Sequence, residues 1–206
     1  MMFDEFQNNF PCDHRKMVVD STKVAVPNIV GLPELLNSLG GASFAGGLYR
    51  IIHPNDLEVW WLRVTHAFPQ FEKRIVCFGY DWLGTVFALD SERREDGQPG
   101  VMMFEPGTGQ ALEMPSNILT FHNKELRGFG EAALAISFYQ KWLANGGHRP
   151  SIAQCVGYRK PLFLGGKDIV ENLELSDIDV YWHLIGQLIR KSRELPEGTP
   201  IRIGPG

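Results

Sequence analysis

The sequence is short of cysteine and of any apolar run long enough to span a membrane. Its three cysteines, Cys12, Cys77 and Cys155, are odd in number, widely spaced and form no CxxC. That usage argues against a disulfide framework and fits a reducing compartment, with the thiols acting as small core hydrophobes. The opening residues, MMFDEFQNNF, lack a basic segment followed by an apolar stretch, so no secretory leader is expected and the chain is read as cytoplasmic. Charge of one sign is missing too. Lys and Arg number 20 against 24 Asp and Glu, a net charge of −4. A mildly acidic surface does not favour phosphate backbones and suits a basic partner better than nucleic acid.

Catalytic and metal-binding patterns are equally scarce. The six histidines, His14, His53, His66, His122, His148 and His183, show no HxxxH or HExxH spacing. Cys12 and His14 have no matching second pair, and two ligands do not make a zinc site. There is no GxSxG, and Cys77 lies inside an apolar strand pattern where a thiolate is disfavoured. LFLGGKD, at Leu162 to Asp168, imitates a phosphate loop but carries Pro161 where the first glycine belongs and Asp168 where the magnesium-holding hydroxyl belongs. In EPGTGQAL the third glycine of a dinucleotide fingerprint would fall at Leu112. Both segments read as turns. Neither an enzyme nor a cofactor or metal is expected.

What the chain has is packing material. Apolar residues make up 44% of its 206 positions and aromatics 11%, enough for one large domain or two small ones. The stretch FGYDWLGTVFALD, Phe78 to Asp90, has the β-branched and aromatic content of two strands around a tight turn at Asp81 to Gly84. DSERREDGQPG, Asp90 to Gly100, reads as a polar loop, VMMFEP as a strand, and Gln110 to Met114 as a returning strand after the PGTG turn. Together they predict an antiparallel meander of about four strands. Before it, Phe3, Phe6 and Phe10 sit at helical spacing, Leu32 to Leu39 forms a helix between Pro33 and Gly40-Gly41, Leu48 to Ile52 a strand, and Pro54 to His66 a helix ended by Pro69. On that last helix Trp60 and Trp61 cannot both face inward.

After the meander, Glu131 to Ala144 predicts one helix with Leu134, Phe138 and Trp142 in one row and Ala135, Tyr139 and Leu143 in the next. The final helix has Ser176 as expected N-cap and an inner face of Ile178, Tyr181, Trp182, Ile185, Leu188 and Ile189. The tail LPEGTPIRIGPG is either one more short strand or loose. Strands followed by helices without βαβ alternation define an α+β protein: an antiparallel β-meander packed against helices, with a smaller, mainly helical N-terminal unit. The expected units are residues 1–68 and 69–206.

Candidate contact residues fall in three places. Tyr80, Asp81 and Trp82 occupy the hairpin tip, where aromatics either fold back into the core or anchor an interface. Asp90, Glu92, Glu95 and Asp96 lie on the polar segment after it. Asp168, Glu171 and Glu174 precede the last helix, with Asp177 and Asp179 beyond. A solvated loop with a helix cap and a partner-binding surface both fit this acidic run.

Several long blocks carry a family resemblance. LPELLNSLGGASFAGGLYRIIHPNDLEVW resembles a GAD-like domain. FGYDWLGTVFALD, MMFEPGTGQALEMP, FHNKEL, GYRKPLFLGGKDIVENLELSDIDVYW and GQLI resemble the C-terminal domain of bacterial type VI secretion DNase-toxin immunity proteins. The resemblance spans nearly the whole chain. It implies a cytosolic protein that binds and neutralises a cognate DNase toxin by occluding or distorting its active site. It transfers no catalytic residue. Acidic loops facing a basic DNA cleft would fit such a role. A regulator that binds promoter DNA is the alternative, with Arg190, Lys191 and Arg193 as its most compact basic cluster. A nucleic-acid partner enters only on that alternative, no membrane partner is expected, and a homodimer stays open.

Overall fold

The computed structural model describes residues 2–15 and 27–194. Seven strands form one antiparallel sheet in unbroken chain order. They are β1 Cys12–Arg15, β2 Ala42–Phe44, β3 Tyr49–Ile51, β4 Ile75–Asp81, β5 Val86–Glu95, β6 Gln98–Glu105 and β7 Gln110–Asn117. β8 Gln154–Tyr158 and β9 Leu173–Asp177 make a second, two-stranded antiparallel sheet. The helices are α1 Asp4–Asn9, α2 Leu32–Leu39, α3 Leu57–Ala67, α4 Ile118–Thr120, α5 Leu126–Gly128, α6 Gly130–Leu134, α7 Ile136–Ala144 and α8 Ile178–Glu194. A π-helical turn, Phe121–Glu125, joins α4 to α5. The architecture is α+β, as the order of strand and helix patterns predicts.

Both faces of the central strands are buried. On β5, Phe87 and Leu89 enter one core while Val86 and Ala88 enter the other. On β6, Val101 and Met103 oppose Met102 and Phe104 in the same way. Strands enclosed on both sides need no polar alternation, which is why VFAL and VMMF read as continuous apolar runs. The first core is closed by Phe6 of α1, Leu35, Leu36 and Leu39 of α2, Phe121, and Leu134 and Tyr139 further on. The second is closed by Trp60 and Val64 of α3 and by Tyr181, Trp182, Ile185 and Ile189 of α8.

The β4–β5 turn ties these layers together. Asp81 Oδ1 accepts hydrogen bonds from the N–H groups of Leu83 (2.9 Å) and Thr85 (2.8 Å), and Gly84 supplies the left-handed residue at φ 79°. Trp82 folds inward and donates from Nε1 to Leu134 O (2.9 Å), while its own carbonyl accepts from Val156 N–H (2.7 Å), which fixes β8 to the large sheet. On the other side Trp182 Nε1 donates to Gly84 O (2.9 Å). At Gly157 of β8 a Cβ would come within 2.4 Å of the Tyr181 ring, so only glycine allows α8 to lie this close.

Several expectations need correction. The segment Asp90 to Gly100 is mostly strand, because β5 and β6 run on to a two-residue turn at Asp96-Gly97, where Asp96 has φ 51°. The helix over Glu131 to Ala144 is broken at Ala135, whose φ of 47° separates α6 from α7. That break turns Trp142 outward: it is only half-buried, over Gly147, with Nε1 donating to His148 O (2.9 Å). Asp177, not Ser176, caps α8, its Oδ1 accepting from the N–H groups of Asp179 (2.9 Å) and Val180 (3.0 Å). Ser176 instead pairs with Cys155 in the β8–β9 ladder. Trp60 is the buried member of the tryptophan pair, and Trp61 is half-buried with Nε1 on Glu72 O (2.9 Å). The boundary read at residues 68/69 falls between α3 and β4, and β3 pairs with β4 across it at Tyr49–Asp81, Arg50–Tyr80 and Ile51–Gly79. The tail 195–206 lies outside the described residues.

The two tryptophans of the C-terminal half should therefore differ in weight. Trp182 is 1% exposed and hydrogen-bonded inside the second core. Trp182→Ala should lower the unfolding free energy by about 3–5 kcal/mol, and Trp142→Ala by clearly less, in urea unfolding followed by circular dichroism. Equal losses would contradict the outward placement of Trp142.

Candidate functional site

Cys77, Cys155 and His122 are held in structural duties. Cys77 and Cys155 are buried, and burial pushes both thiols up, Cys77 to about 12, so neither is poised as a thiolate. His122 is fully enclosed, hydrogen-bonded to Ile118 O (2.8 Å) and Tyr49 Oη (3.1 Å) and ringed by Phe3, Phe6, Phe78 and Phe121. The LFLGGKD segment is a 3₁₀ turn, Leu162–Leu164, closed by Gly165 at φ 79°. No group of three or more potential metal ligands occurs among the described residues.

The candidate contact residues are separated by the fold. Tyr80, Asp81 and Trp82 are 3%, 2% and 0% exposed and offer no surface to a partner. Tyr80 stacks on Trp60 at 4.2 Å and donates to Ile152 O (3.0 Å). Burial raises the Asp81 carboxyl well above the usual range, opposed by its backbone hydrogen bonds. Asp90 is fully buried as well, with Arg74 Nε on its Oδ1 at 2.8 Å and a second contact through Nη2. The tip aromatics and Asp90 are thus core elements. The apolar residues around them left no room outside, and the charge of Asp90 is matched by Arg74.

The remaining acids are exposed or half-exposed, and most are paired. Glu92 lies 2.6 Å from Arg74, Glu95 2.9 Å from Arg93, and Glu174 3.5 Å from Arg159, while Asp168 accepts from Tyr158 Oη at 2.6 Å. Asp96 and Glu171 have no ion pair among the described residues. The two acidic groups are not brought together. Glu92, Glu95 and Asp96 sit where β5 turns into β6, whereas the Tyr158 ring that holds Asp168 packs on Gly107, in the turn at the far end of β6. Of the basic cluster, Arg193 lies over the Phe68 ring at 4.6 Å and donates to Ala67 O and Gly109 O, so it fastens α8 to the body while staying exposed, as Arg190 and Lys191 are.

A different surface stands out. Val59 and Leu62 of α3 and Val180 and Leu184 of α8 are each 45–56% exposed, and the two helices lie side by side. Ile152, 41% exposed, lies next to them. The Arg63 guanidinium bridges the helices. It stacks over the Trp60 ring at 4.3 Å and donates to Asp179 across a separation of 116 residues. Farther along, the His66 and His183 rings stand parallel at 6.3 Å. Two grooves flank the bridge, one of about 460 Å³ beside Trp61, His66 and His183 and one of about 320 Å³ over Trp60 and Tyr80, while a third, of about 350 Å³, lies between α8 and β8–β9 beside Arg159, Val180 and Leu184. Exposed apolar side chains on two neighbouring helices, beside charged ones, are features that protein interaction surfaces use. Sequence reasoning missed it because α3 and α8 meet only in the fold. The available signal was Val180 and Leu184, four residues apart and off the inner stripe of α8.

The fold is of the α+β class, and the exposed apolar residues of α3 and α8 are its candidate contact surface. Residues 119–189 match the family described as T6SS immunity protein Tdi1, C-terminal, which supports the type VI secretion immunity family indicated by the sequence blocks. No curated protein matches the chain. Among solved structures, Atu4351 from Agrobacterium tumefaciens is similar in fold, with a TM-score of 0.61 over 90% of this chain and 88% of that one, at 14% identity. No helix among the described residues is long and apolar enough to cross a membrane.

His122 generates a pH test of the first core. Burial lowers its basicity from 6.5 to about 4. The unfolded chain takes up that proton below 6.5 and the native chain only near 4, so the native state is favoured above this window and loses roughly 3 kcal/mol across it as pH falls. Asp81 runs the other way, since a raised carboxyl pKa favours the native state as pH falls. The difference between the wild type and His122→Gln, in urea unfolding from pH 7 to 4, isolates the histidine. Parallel pH profiles for the two would contradict the buried neutral ring.

Proposed function

We propose that this protein is an immunity protein that binds a cognate type VI secretion DNase toxin in the cytoplasm and blocks its active site. The observation that carries the reading is the family match over residues 119–189, a segment that holds β8, β9 and α8 up to Ile189. That segment supplies one half of the exposed apolar surface, and α3 supplies the other. On this reading residues 1–68 are the GAD-like unit and residues 69–206 the immunity unit, and the toxin spans both. Val59, Leu62, Val180 and Leu184 give the desolvated centre of the contact. Exposed Glu92, Asp96 and Glu171 set its approach, because a nuclease presents basic side chains to phosphate and is drawn by acidic ones. Neutralisation is then steric, with no reaction carried out by the immunity protein. The net charge of −4 weighs against a promoter-binding role.

The test is a nuclease assay with the toxin encoded beside this gene. Stoichiometric wild-type protein should abolish DNA cleavage, and full cleavage in its presence would sink the reading. The pair Leu62→Asp and Leu184→Asp should leave the fold intact, since both sites are exposed, and weaken inhibition by about tenfold or more. Reversing Glu92, Asp96 and Glu171 to lysine should slow association at low salt and matter little at high salt. An association rate that ignores both charge and salt would assign the contact to the apolar residues alone.

A further inference from the structure

The 320 Å³ groove between the start of α3, the start of α8 and the segment before β8 has the chemistry of a side-chain pocket. Its floor is the stacked pair Trp60 and Tyr80, and its mouth is flanked by Val59 and Ile152. Two carboxylates enter it, Asp56 and Asp179. Asp56 is exposed and its carboxylate has no hydrogen bond or ion pair among the described residues. The lining holds these two carboxylates against the one cation of Arg63, and a second guanidinium, that of Arg50, lies behind the floor, 5.5 Å from the Tyr80 ring. Arg63 does not fill the need for positive charge, because it is already held by Asp179 and the Trp60 ring.

A second feature points to an occupant. His53 is only 8% exposed, yet it lines this groove. Its Nδ1 accepts from Asn55 N–H (3.2 Å), which places the proton on Nε2. That Nε2–H has no partner among the described residues, and it is not sealed in the interior. A nearly enclosed donor facing a groove calls for an acceptor brought from outside. A backbone carbonyl is such an acceptor, and the residue that carries it can place a cation on the carboxylates.

We infer that this groove receives a lysine or arginine side chain from the toxin, its cation on Asp56 and Asp179 and its backbone carbonyl on His53 Nε2–H. The identity of the partner rests on the proposed function, whereas the chemistry of the pocket does not. The apolar stem of the incoming side chain lies along Val59 and Ile152, as long basic side chains do when only their heads need polar contact. A charge-assisted hydrogen bond in a part-enclosed site is about twice as strong as a neutral one, so the cation and not the stem dominates.

The experiment titrates ¹⁵N-labelled full-length protein with N-acetyl-lysine N-methylamide and its arginine counterpart. The expected result is a saturable shift of the Asn55 and Asp56 amides and of the Trp60 indole. N-acetyl-norleucine N-methylamide, which keeps the stem and loses the charge, should bind about tenfold more weakly or worse, a loss of at least 1.4 kcal/mol. Asp56→Asn should erase that preference. Val59→Lys, which sets a cation in the mouth, should abolish lysine binding. Equal binding of norleucine, tighter binding of N-acetyl-glutamate N-methylamide, or no saturable shift would each overturn the inference. In the nuclease assay Asp56→Asn should weaken inhibition by about tenfold. If the wild type inhibits no nuclease but the lysine probe still binds at Asp56, the function falls and the pocket stands. If inhibition is normal in Asp56→Asn, the pocket falls and the function stands.

Discussion

The structure depends on one constraint: the central strands β4, β5 and β6 are apolar on both faces. An antiparallel sheet joined by hairpins has no crossover helices to cover it. The covering must come from segments before and after the meander. α1 and α2 precede it and close one face together with the π-helical turn and α7, which follow it. α3 precedes it and α8 ends the described chain, and these two close the other face. The meeting of α3 with α8 is thus a consequence of how β4 to β6 must be buried. The surface they share exists because two helices, each with an inner stripe already spent on the core, were brought edge to edge.

The same constraint sorts the polar residues. A sheet buried on both sides penalises unmatched polar groups, and its interior acids are held by hydrogen bonds, whereas buried Arg50 leaves Nε and Nη1 without partners. Asp81 is held by its own turn and Asp90 by Arg74. His122 sits among aromatic rings as a neutral hydrogen-bonding core residue. The ionisable groups that look most promising as chemistry in the sequence are therefore those most committed to packing. The outer face of α3 and α8 carries the opposite pattern, apolar side chains in water beside a single bridging ion pair, and it is this inversion that suits recognition.

Much of the fold was legible because its signals are local. Leu32 to Leu39 is bounded by Pro33 and Gly40, and the helix matches those bounds. The β4–β5 hairpin announces itself through its turn residues and apolar flanks. Where tertiary contacts override local signals, the reading fails. Ser-Glu-Arg-Arg-Glu looks like a loop because it is polar, yet Arg94 and Glu95 pair with Pro99 and Gln98 and carry the strand past an irregularity at Ser91 to Arg93. Ala135 carries no sign that it takes a left-handed conformation, so the break between α6 and α7 was invisible. The acidic residues were read by exposure and charge, but whether a carboxylate is free or paired depends on arginines far away, as Arg74 and Arg159 show. The α3–α8 surface needed both ends of the chain at once, and no window of sequence contains both.

The unbroken strand order has a kinetic consequence. Each strand of the large sheet pairs with its neighbour in sequence, so most of the sheet is built from contacts of short loop length, which close early and at low entropic cost. The Arg63–Asp179 bridge is the opposite case, joining residues 116 apart. It forms only once α8 has been made and docked against α3. A chain cut short before α8 can assemble much of its meander and still lack one side of the surface. The second core therefore stays open on the side that Tyr181, Trp182, Ile185 and Ile189 cover until α8 docks. Apolar surface left open in that interval is of the kind that draws partly folded chains into aggregation.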